Sequence, residues 1–180
     1  MKTSILFLLT LSLNVCIAQK VNKEIITDKG RQFLVGPITL EGLQSKPYKT
    51  WFNTSYDNYA VDKTLVKMIK KKTKGYHIKL FLGTWCGDSK REMPRMIKIL
   101  NEAKFPTENL EIIALDSRKD FYKKSPGGEE KGLNIIKVPT LIFFKNGKEI
   151  NRIVERPIAT LEEDILAILS NNIYKPNYSK

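Results

Sequence analysis

The sequence predicts an α/β protein with a central mixed sheet, helices on both faces of it, and an N-terminal β-hairpin extension. Strand-type apolar runs alternate with amphipathic helical stretches between residues 56 and 115, an order typical of parallel strands joined by helices. A hairpin pattern at 141–154 and a capped helix after it close the domain. The 180 residues, 42% hydrophobic and 28% charged, suit one globular domain with a sizeable core.

Residues 1–18 have the pattern of a signal peptide. A lysine precedes an apolar run at 5–15, and small residues follow just before a cleavage point at Gln19. This run is short for a transmembrane helix, and no later segment is apolar enough to span a bilayer. We therefore expect an exported protein, periplasmic or secreted. A lipoprotein anchored through Cys16 is less favoured, because the residues before it lack the small side chains that lipoprotein processing prefers.

Residues 19–55 are predicted to form an extension outside the domain. Strand-like residues at 24–27 and 32–35 flank a turn that ends in Gly30, which indicates a β-hairpin. Glycines and prolines between 36 and 47 indicate irregular chain after the hairpin. The hairpin either pads an edge of the sheet or makes a dimer contact, and the sequence indicates no oligomeric state.

The domain is assigned to residues 56–170. Helices are predicted where apolar residues recur every three or four positions, and strands where apolar runs are short and bounded by turn residues. In order, the predicted elements are a helix at 56–73, a strand at 76–82, a helix near 86–104, a strand at 110–115, a loop at 117–131, hairpin strands at 141–144 and 149–154, and a last helix from 160. Asn146-Gly147 supplies the hairpin turn, and Thr160 with Glu163 forms a capping box. The polar tail, 171–180, is predicted to be flexible.

The net charge of +12 comes from basic residues that are scattered along the chain. No aromatic residues interleave with them, so the pattern favours a solvated basic surface and argues against a nucleic-acid partner. One histidine, His77, lies far from the cysteine of the mature chain, at the opposite end of a predicted strand. The sequence therefore predicts neither a metal site nor a cofactor.

Cys86 is the residue that most constrains the function. The chain has 2 cysteines, and Cys16 leaves with the signal peptide, so the mature protein holds one thiol. Cys86 lies where a predicted strand ends and a helix begins. The free N–H groups and the positive dipole end of a helix favour a thiolate there, and the thiolate is the nucleophilic form. Ser89 stands three residues after it.

The residues around Cys86 resemble a known active-site motif. Trp85-Cys86-Gly87-Asp88-Ser89-Lys90, followed by Pro94, is similar to the active-site helix of thioredoxins, and 90–94 looks more like the exported TlpA/ResA-type thiol–disulfide oxidoreductases. A second stretch, 136–148, resembles the cis-proline loop of that family and the hairpin after it. The resemblance covers about 56–170 and implies a thioredoxin-like fold.

This resemblance also implies roles for individual residues. Pro139 would be cis and would lie beside Cys86. Trp85, Val138, Pro139 and Thr140 would face the substrate, and the loop would offer backbone groups to an extended chain. Two residues depart from the family pattern: Ser89 stands where the resolving cysteine belongs, and Leu80 stands where thioredoxins have a buried acid.

Three hypotheses for Cys86 follow. The first is an exported monothiol thiol–disulfide oxidoreductase, in which Cys86 carries a mixed disulfide, Ser89 is its hydrogen-bond partner, and protein or small-molecule thiols and disulfides are its partners. The second is a redox-inactive binding module that holds an extended peptide or client protein in the cis-proline groove. The third makes Cys86 a packing residue without a chemical role.

Overall fold

The computed structural model describes residues 20–179, so the predicted signal peptide lies outside the described residues. The strands are β1 (Lys23–Ile26), β2 (Gln32–Pro37), β3 (Tyr76–Leu82), β4 (Leu110–Ala114), β5 (Thr140–Lys145) and β6 (Lys148–Val154). The helices are α1 (Tyr48–Asp57), α2 (Lys63–Lys72), α3 (Gly87–Glu102) and α4 (Leu161–Leu169), with single 3-10 turns at Gly42–Gln44, Thr107–Asn109 and Lys119–Phe121. Within the described part of the chain, none of the helices has the length and apolar character needed to cross a membrane.

The six strands form one mixed sheet, as the sequence predicts. Their order is β1-β2-β4-β3-β5-β6, and only β3 and β4 among the described strands run parallel. The N-terminal hairpin extends the edge of this sheet, because Gly36 and Pro37 at the end of β2 pair with Ala114 and Ile113 of β4. Of the two roles considered for the hairpin, the structure thus shows edge padding.

All four helices contribute to a single core on one face of the sheet. Alternate residues of β3, from Ile78 to Leu82, point into this core, and each fully buried side chain of that size stabilises the fold by about 1.5–3 kcal/mol. The opposite face, represented by Phe81, is covered by Val138 and by chain from the segment 115–139. Helices flank the sheet, but the expected second helical layer is absent from residues 20–179. The covering segment is rich in Gly, Pro and Lys and lacks helical periodicity.

The helix predicted at 56–73 begins later in the structure, at Lys63. The Asp62 carboxylate accepts hydrogen bonds from the N–H groups of Thr64 (2.8 Å) and Leu65 (3.0 Å), which starts α2 at Lys63 instead of continuing a helix through it. The preceding helix, α1, was not predicted. Its buried aromatic residues belong to the core. Because α1 runs from Tyr48 to Asp57, the expected domain boundary at 55/56 falls inside this helix.

The turn and cap predictions at the C-terminal half are confirmed. Asn146 and Gly147 have φ values of 51° and 74°, as a tight hairpin turn requires. The Thr160 side chain and the Glu163 side chain cap each other's backbone N–H groups at the start of α4.

The C-terminal tail lies along β6, which corrects the expectation of a flexible segment. The amide of Asn151 donates to the carbonyl of Tyr174 (2.9 Å), and the amide of Asn177 donates to the carbonyl of Arg156 (2.9 Å). The Tyr174 hydroxyl donates to the buried Asp164 carboxylate (2.7 Å). These polar side chains find fixed partners on the domain, so a polar composition did not mean disorder here.

Candidate functional site

Cys86 occupies the N-cap position of α3. Its backbone is extended (φ −90°, ψ 130°), its N–H donates to the carbonyl of Gly83 (2.8 Å), and its own carbonyl accepts from Lys90 N–H (3.0 Å). Cys86 is partly exposed as a residue. The sulfur therefore stands at the positive end of a 16-residue helix, where the strand-to-helix junction in the sequence predicted it.

The cis-proline loop lies directly against the thiol. The Cys86 Sγ donates to the carbonyl oxygen of Val138 (3.5 Å), and the Val138–Pro139 peptide bond is cis, the isomer that the resemblance implied. Behind the loop, Glu155 N–H donates to the carbonyl of Pro139 (2.7 Å). Val138 and Pro139 are both buried, and the carbonyl oxygens of both already accept hydrogen bonds, from the Cys86 thiol and from Glu155 N–H.

Ser89 is placed differently from its predicted role. Its side chain is fully buried, and its Oγ accepts a hydrogen bond from Gly83 N–H (3.1 Å). The hydrogen bonds described for this site thus pair Ser89 with Gly83 and pair the thiol with Val138. The helical spacing put Ser89 on the inner face of α3, where its hydroxyl ties the end of β3 to the helix.

Thr140 also lies inward. It is 1% exposed, and its hydroxyl donates to the carbonyl of Lys137 (2.7 Å), so it braces the cis-proline loop from within and its side chain does not face the substrate side. As the first residue of β5 it pairs with Phe81 of β3 and Val154 of β6. Any effect of Thr140 on a substrate must therefore act through the position of the loop.

Trp85 is partly buried beside the thiol. Its indole Nε1 donates to the carbonyl of Leu115 (2.8 Å), and its ring lies 5.6 Å from that of Tyr122. The indole covers Gly83 so closely that a Cβ at that position would meet it at 2.6 Å. Gly83 is thus required by close approach, and the indole is fixed as one wall of the site.

The loop after β4 adds residues that the sequence analysis missed. Asp116 holds Arg118 in an ion pair (2.7 Å), and its backbone closes the loop by bonding to Lys123 and Lys124. This loop carries Lys123, whose amine donates to the carbonyl of Ile136 on the cis-proline segment, and the half-exposed Tyr122, whose ring lies 5.6 Å from that of Trp85. The sequence showed no periodic signal in this loop, so its role depends on tertiary contacts alone.

The Lys123 amine and Cys86 interact electrostatically. Burial lowers the pKa of the Lys123 amine, the charge of Lys137 lowers it further, and Cys86 and Glu155 act in the opposite direction. On the other side of Cys86, Arg91 binds Asp88 (2.8 Å). The acid that the sequence placed near the sulfur therefore has its charge matched by an arginine.

Two further residues complete the comparison with the sequence. Leu80 is buried in the core on the helical side of the sheet, so an apolar side chain occupies the place of the family's acid. His77 contacts Glu111 (2.6 Å) at the other end of β3 from the thiol. Residues 20–179 contain no group of three His, Cys, Asp or Glu side chains arranged to hold a metal ion.

Comparisons with known proteins agree with this geometry. The sequence profile of the family Thioredoxin matches residues 42–166. The chain is 34% identical over 138 residues to the thiol-disulfide oxidoreductase ResA of Bacillus cereus, covering 66% of this chain and 79% of that protein. It is 31% identical over 87 residues to thioredoxin-1 of Saccharomyces cerevisiae, covering 48% of this chain and 75% of that protein.

A viral protein gives a similar match. The thioredoxin-like protein R548 of Acanthamoeba polyphaga mimivirus is 33% identical over 99 residues, or 52% of this chain. The match spans 63% of the mimiviral protein, slightly less than two thirds of its length.

Proposed function

Because this chain belongs to the thioredoxin family, we propose that it is an exported monothiol thiol–disulfide oxidoreductase that forms mixed disulfides through Cys86. One observation carries the proposal. The sulfur of the partly exposed residue Cys86, at the N-terminus of α3, lies 3.5 Å from the carbonyl of Val138, in a loop whose next residue is a cis proline. A residue with only a packing role would not need this combination of partial exposure, helix dipole and contact with the cis-proline loop.

The chemistry begins with the Cys86 thiolate. It attacks one sulfur of a substrate disulfide, the substrate S–S bond breaks, and the other half leaves as a thiolate, so that a Cys86 mixed disulfide remains. The N-terminus of α3 and the Lys123 ammonium group supply positive charge near the sulfur. Because serine occupies position 89, a thiol from outside the chain must release the substrate.

The surface around the sulfur suits an extended polypeptide. Trp85 forms one wall, and the backbone of Val138 and Pro139 forms the other. Tyr122 and Ile136 are 51% and 41% exposed, so they give this surface an apolar rim. Ser89 and Thr140 act as positioning residues, one for the Gly83–Cys86 turn and the other for the cis-proline loop.

A redox-inactive binding module remains the second candidate, and the same rim favours it. Holding a client needs the exposed aromatic side chains and the loop backbone but no sulfur chemistry. The two functions differ in one measurable quantity, which is the reactivity of Cys86 toward disulfides in the folded protein relative to the unfolded one.

The test uses the full chain with Cys16→Ser, so that Cys86 is the single cysteine. The protein is mixed with bis(2-hydroxyethyl) disulfide, and the mixed disulfide is followed by intact mass, with the same protein in urea as the reference. We expect faster capture in the folded protein, none in a Cys86→Ser variant, and catalysis of insulin reduction in the presence of an added thiol. A folded protein that reacts no faster than the unfolded chain excludes the oxidoreductase and favours the binding module.

Export is tested separately. Expression of the full chain in a bacterial host, fractionation and N-terminal sequencing should give a mature protein that begins at Gln19, the residue after the predicted cleavage point. A cytoplasmic product that retains residues 1–18 would contradict the proposed export.

A further inference from the structure

An open cleft lies at the N-terminal end of α3, the helix whose N-cap is Cys86. It measures about 710 Å³, within the usual range for small-molecule sites, and lies between α1 and the first turns of α3. Its lining residues are Thr50, Trp51, Thr54, Ser55, Asn58, Gly87, Lys90, Arg91 and Arg95. We call this the α1–α3 cleft. Gly87 directly follows Cys86, so the cleft begins one residue from the thiol.

The α1–α3 cleft is positively charged. Three of its lining residues are cationic, and the two carboxylates beside them, Asp88 and Glu92, are both bound by arginines. Glu92 contacts Arg91 at 2.6 Å and Arg95 at 3.7 Å. These pairs leave the charge of Lys90 without compensation from either acid.

Other groups lining the cleft are suited to a polar ligand. The Arg95 side chain is 34% exposed, and its guanidinium lies 5.4 Å from the centre of the Tyr59 ring. Hydroxyl groups of threonine and serine line the α1 side, and the Trp51 indole adds an apolar surface. Cations, hydroxyls and one aromatic wall together match a small molecule that carries carboxylates.

We propose that the α1–α3 cleft binds a small anionic thiol, and that this thiol takes the place of the missing second cysteine. The inference rests on the proposed function, because only a monothiol site needs an external thiol to complete its cycle. Gly87, the residue after Cys86, lines the cleft, and the charge of the cleft selects a carboxylate-bearing thiol over a neutral or cationic one.

The reaction balances with two molecules of the small thiol. The first, as a thiolate, attacks the substrate sulfur of the mixed disulfide; the bond to Cys86 breaks and its electron pair returns to the Cys86 Sγ. The second attacks the resulting disulfide and frees the substrate as a thiol. In sum, a substrate disulfide gains two electrons and two protons, and two small thiols are oxidised to their disulfide.

The experiment starts from a mixed disulfide made chemically, so that it does not depend on the protein's own attack on disulfides. Cys86 in the Cys16→Ser chain is capped with 2-hydroxyethyl methanethiosulfonate. Removal of the cap is then followed by intact mass with glutathione, 2-mercaptoethanol or cysteamine, which are anionic, neutral and cationic. Each rate is divided by the rate for the urea-unfolded protein, which removes the intrinsic reactivity of each thiol.

We expect the folded protein to favour glutathione over 2-mercaptoethanol by about fivefold, as one close, exposed charge pair allows (~1 kcal/mol). Cysteamine should be the least effective of the three. Lys90→Glu should abolish this preference. The matched control, Lys67→Glu, makes the same change of net charge on an exposed position of α2 and should retain it.

Equal normalised rates for the three thiols would overturn the inference. An equal loss of preference in both variants would also overturn it, because it would trace the effect to the net charge of +12 instead of the cleft. Failure of Cys86 to capture disulfides in the preceding test is a separate result that removes the proposed function and leaves this measurement unaffected.

Discussion

Replacing Ser89 with alanine tests what the buried hydroxyl does. The substitution removes the acceptor of the Gly83 N–H, a 3.1 Å hydrogen bond between two buried residues, and Ser89 itself is 0% exposed. A buried donor left without a partner costs about 1–3 kcal/mol. With a urea dependence of about 1–3 kcal/mol per molar, the unfolding midpoint should fall on the order of 1 M.

Equilibrium unfolding in urea, followed by fluorescence and circular dichroism, measures this change. Ser45→Ala is the matched control, since that serine is exposed and its hydroxyl donates to the carbonyl of Gly42 (2.9 Å); its effect should stay within about 0.5 kcal/mol. Alkylation of Cys86 in folded Ser89→Ala protein should proceed at the wild-type rate, because the thiol is hydrogen-bonded to Val138.

Two results would refute this reasoning. A loss of stability no larger than that of Ser45→Ala would mean that the Gly83 N–H finds another partner or that the bond is not buried. Slower alkylation of Cys86 in Ser89→Ala, with unchanged stability, would mean that Ser89 is the hydrogen-bond partner of the sulfur, as its position in the motif predicted.

Two other predictions concern the supporting structure. Gly147→Ala should lower the free energy of unfolding by about 1 kcal/mol, because Gly147 has a φ of 74°. Gly87→Ala is the control: this glycine has an ordinary φ and open space around its Cα, so the change should lower the free energy of unfolding less or raise it. Equal effects of the two substitutions would contradict the turn assignment. A hydrogen bond from Tyr178 and the charge of Lys137 lower the pKa of Glu155 below its ordinary value of 4.5. The Glu155 carboxylate therefore adds to the free energy of unfolding above pH 4.5. This contribution is lost as the pH falls through the lower pKa of the folded protein. Between pH 6 and pH 3, the free energy of unfolding should therefore fall less for Glu155→Gln than for the wild type. Equal decreases in the two proteins would refute this role of Glu155.

The elements with strong local signals could be predicted from the sequence. β3 has the predicted bounds, the Asn146-Gly147 turn has the required φ values, and the capping box at Thr160 is formed. Cys86 and Val138, one in each motif, are 52 residues apart in the chain, yet their meeting could be inferred because the resemblance supplied the fold that joins them. Each of these predictions depends on neighbouring residues or on a known arrangement of elements.

The errors share a different cause. α1 was missed because an aromatic helix in a segment bounded by Gly and Pro has weak local periodicity, and only its packing in the core stabilises it. The tail was predicted to be flexible from its polar composition, and its hydrogen-bond partners on the domain lie 10 to 23 residues away, on α4, on β6 and just after β6.

The sequence by itself determined the strands, the two hairpins, the capped last helix and the position of one thiol at a strand-to-helix junction, because those depend on side chains within a few residues of each other. Only the tertiary structure decided which groups surround that thiol. Ser89 is buried on the inner face of α3, Lys123 belongs to a loop without helical or strand periodicity, and Gly87 lines the α1–α3 cleft. The physical reason is that charge, burial and hydrogen bonding at the sulfur are set by segments that meet in space and are distant in the chain.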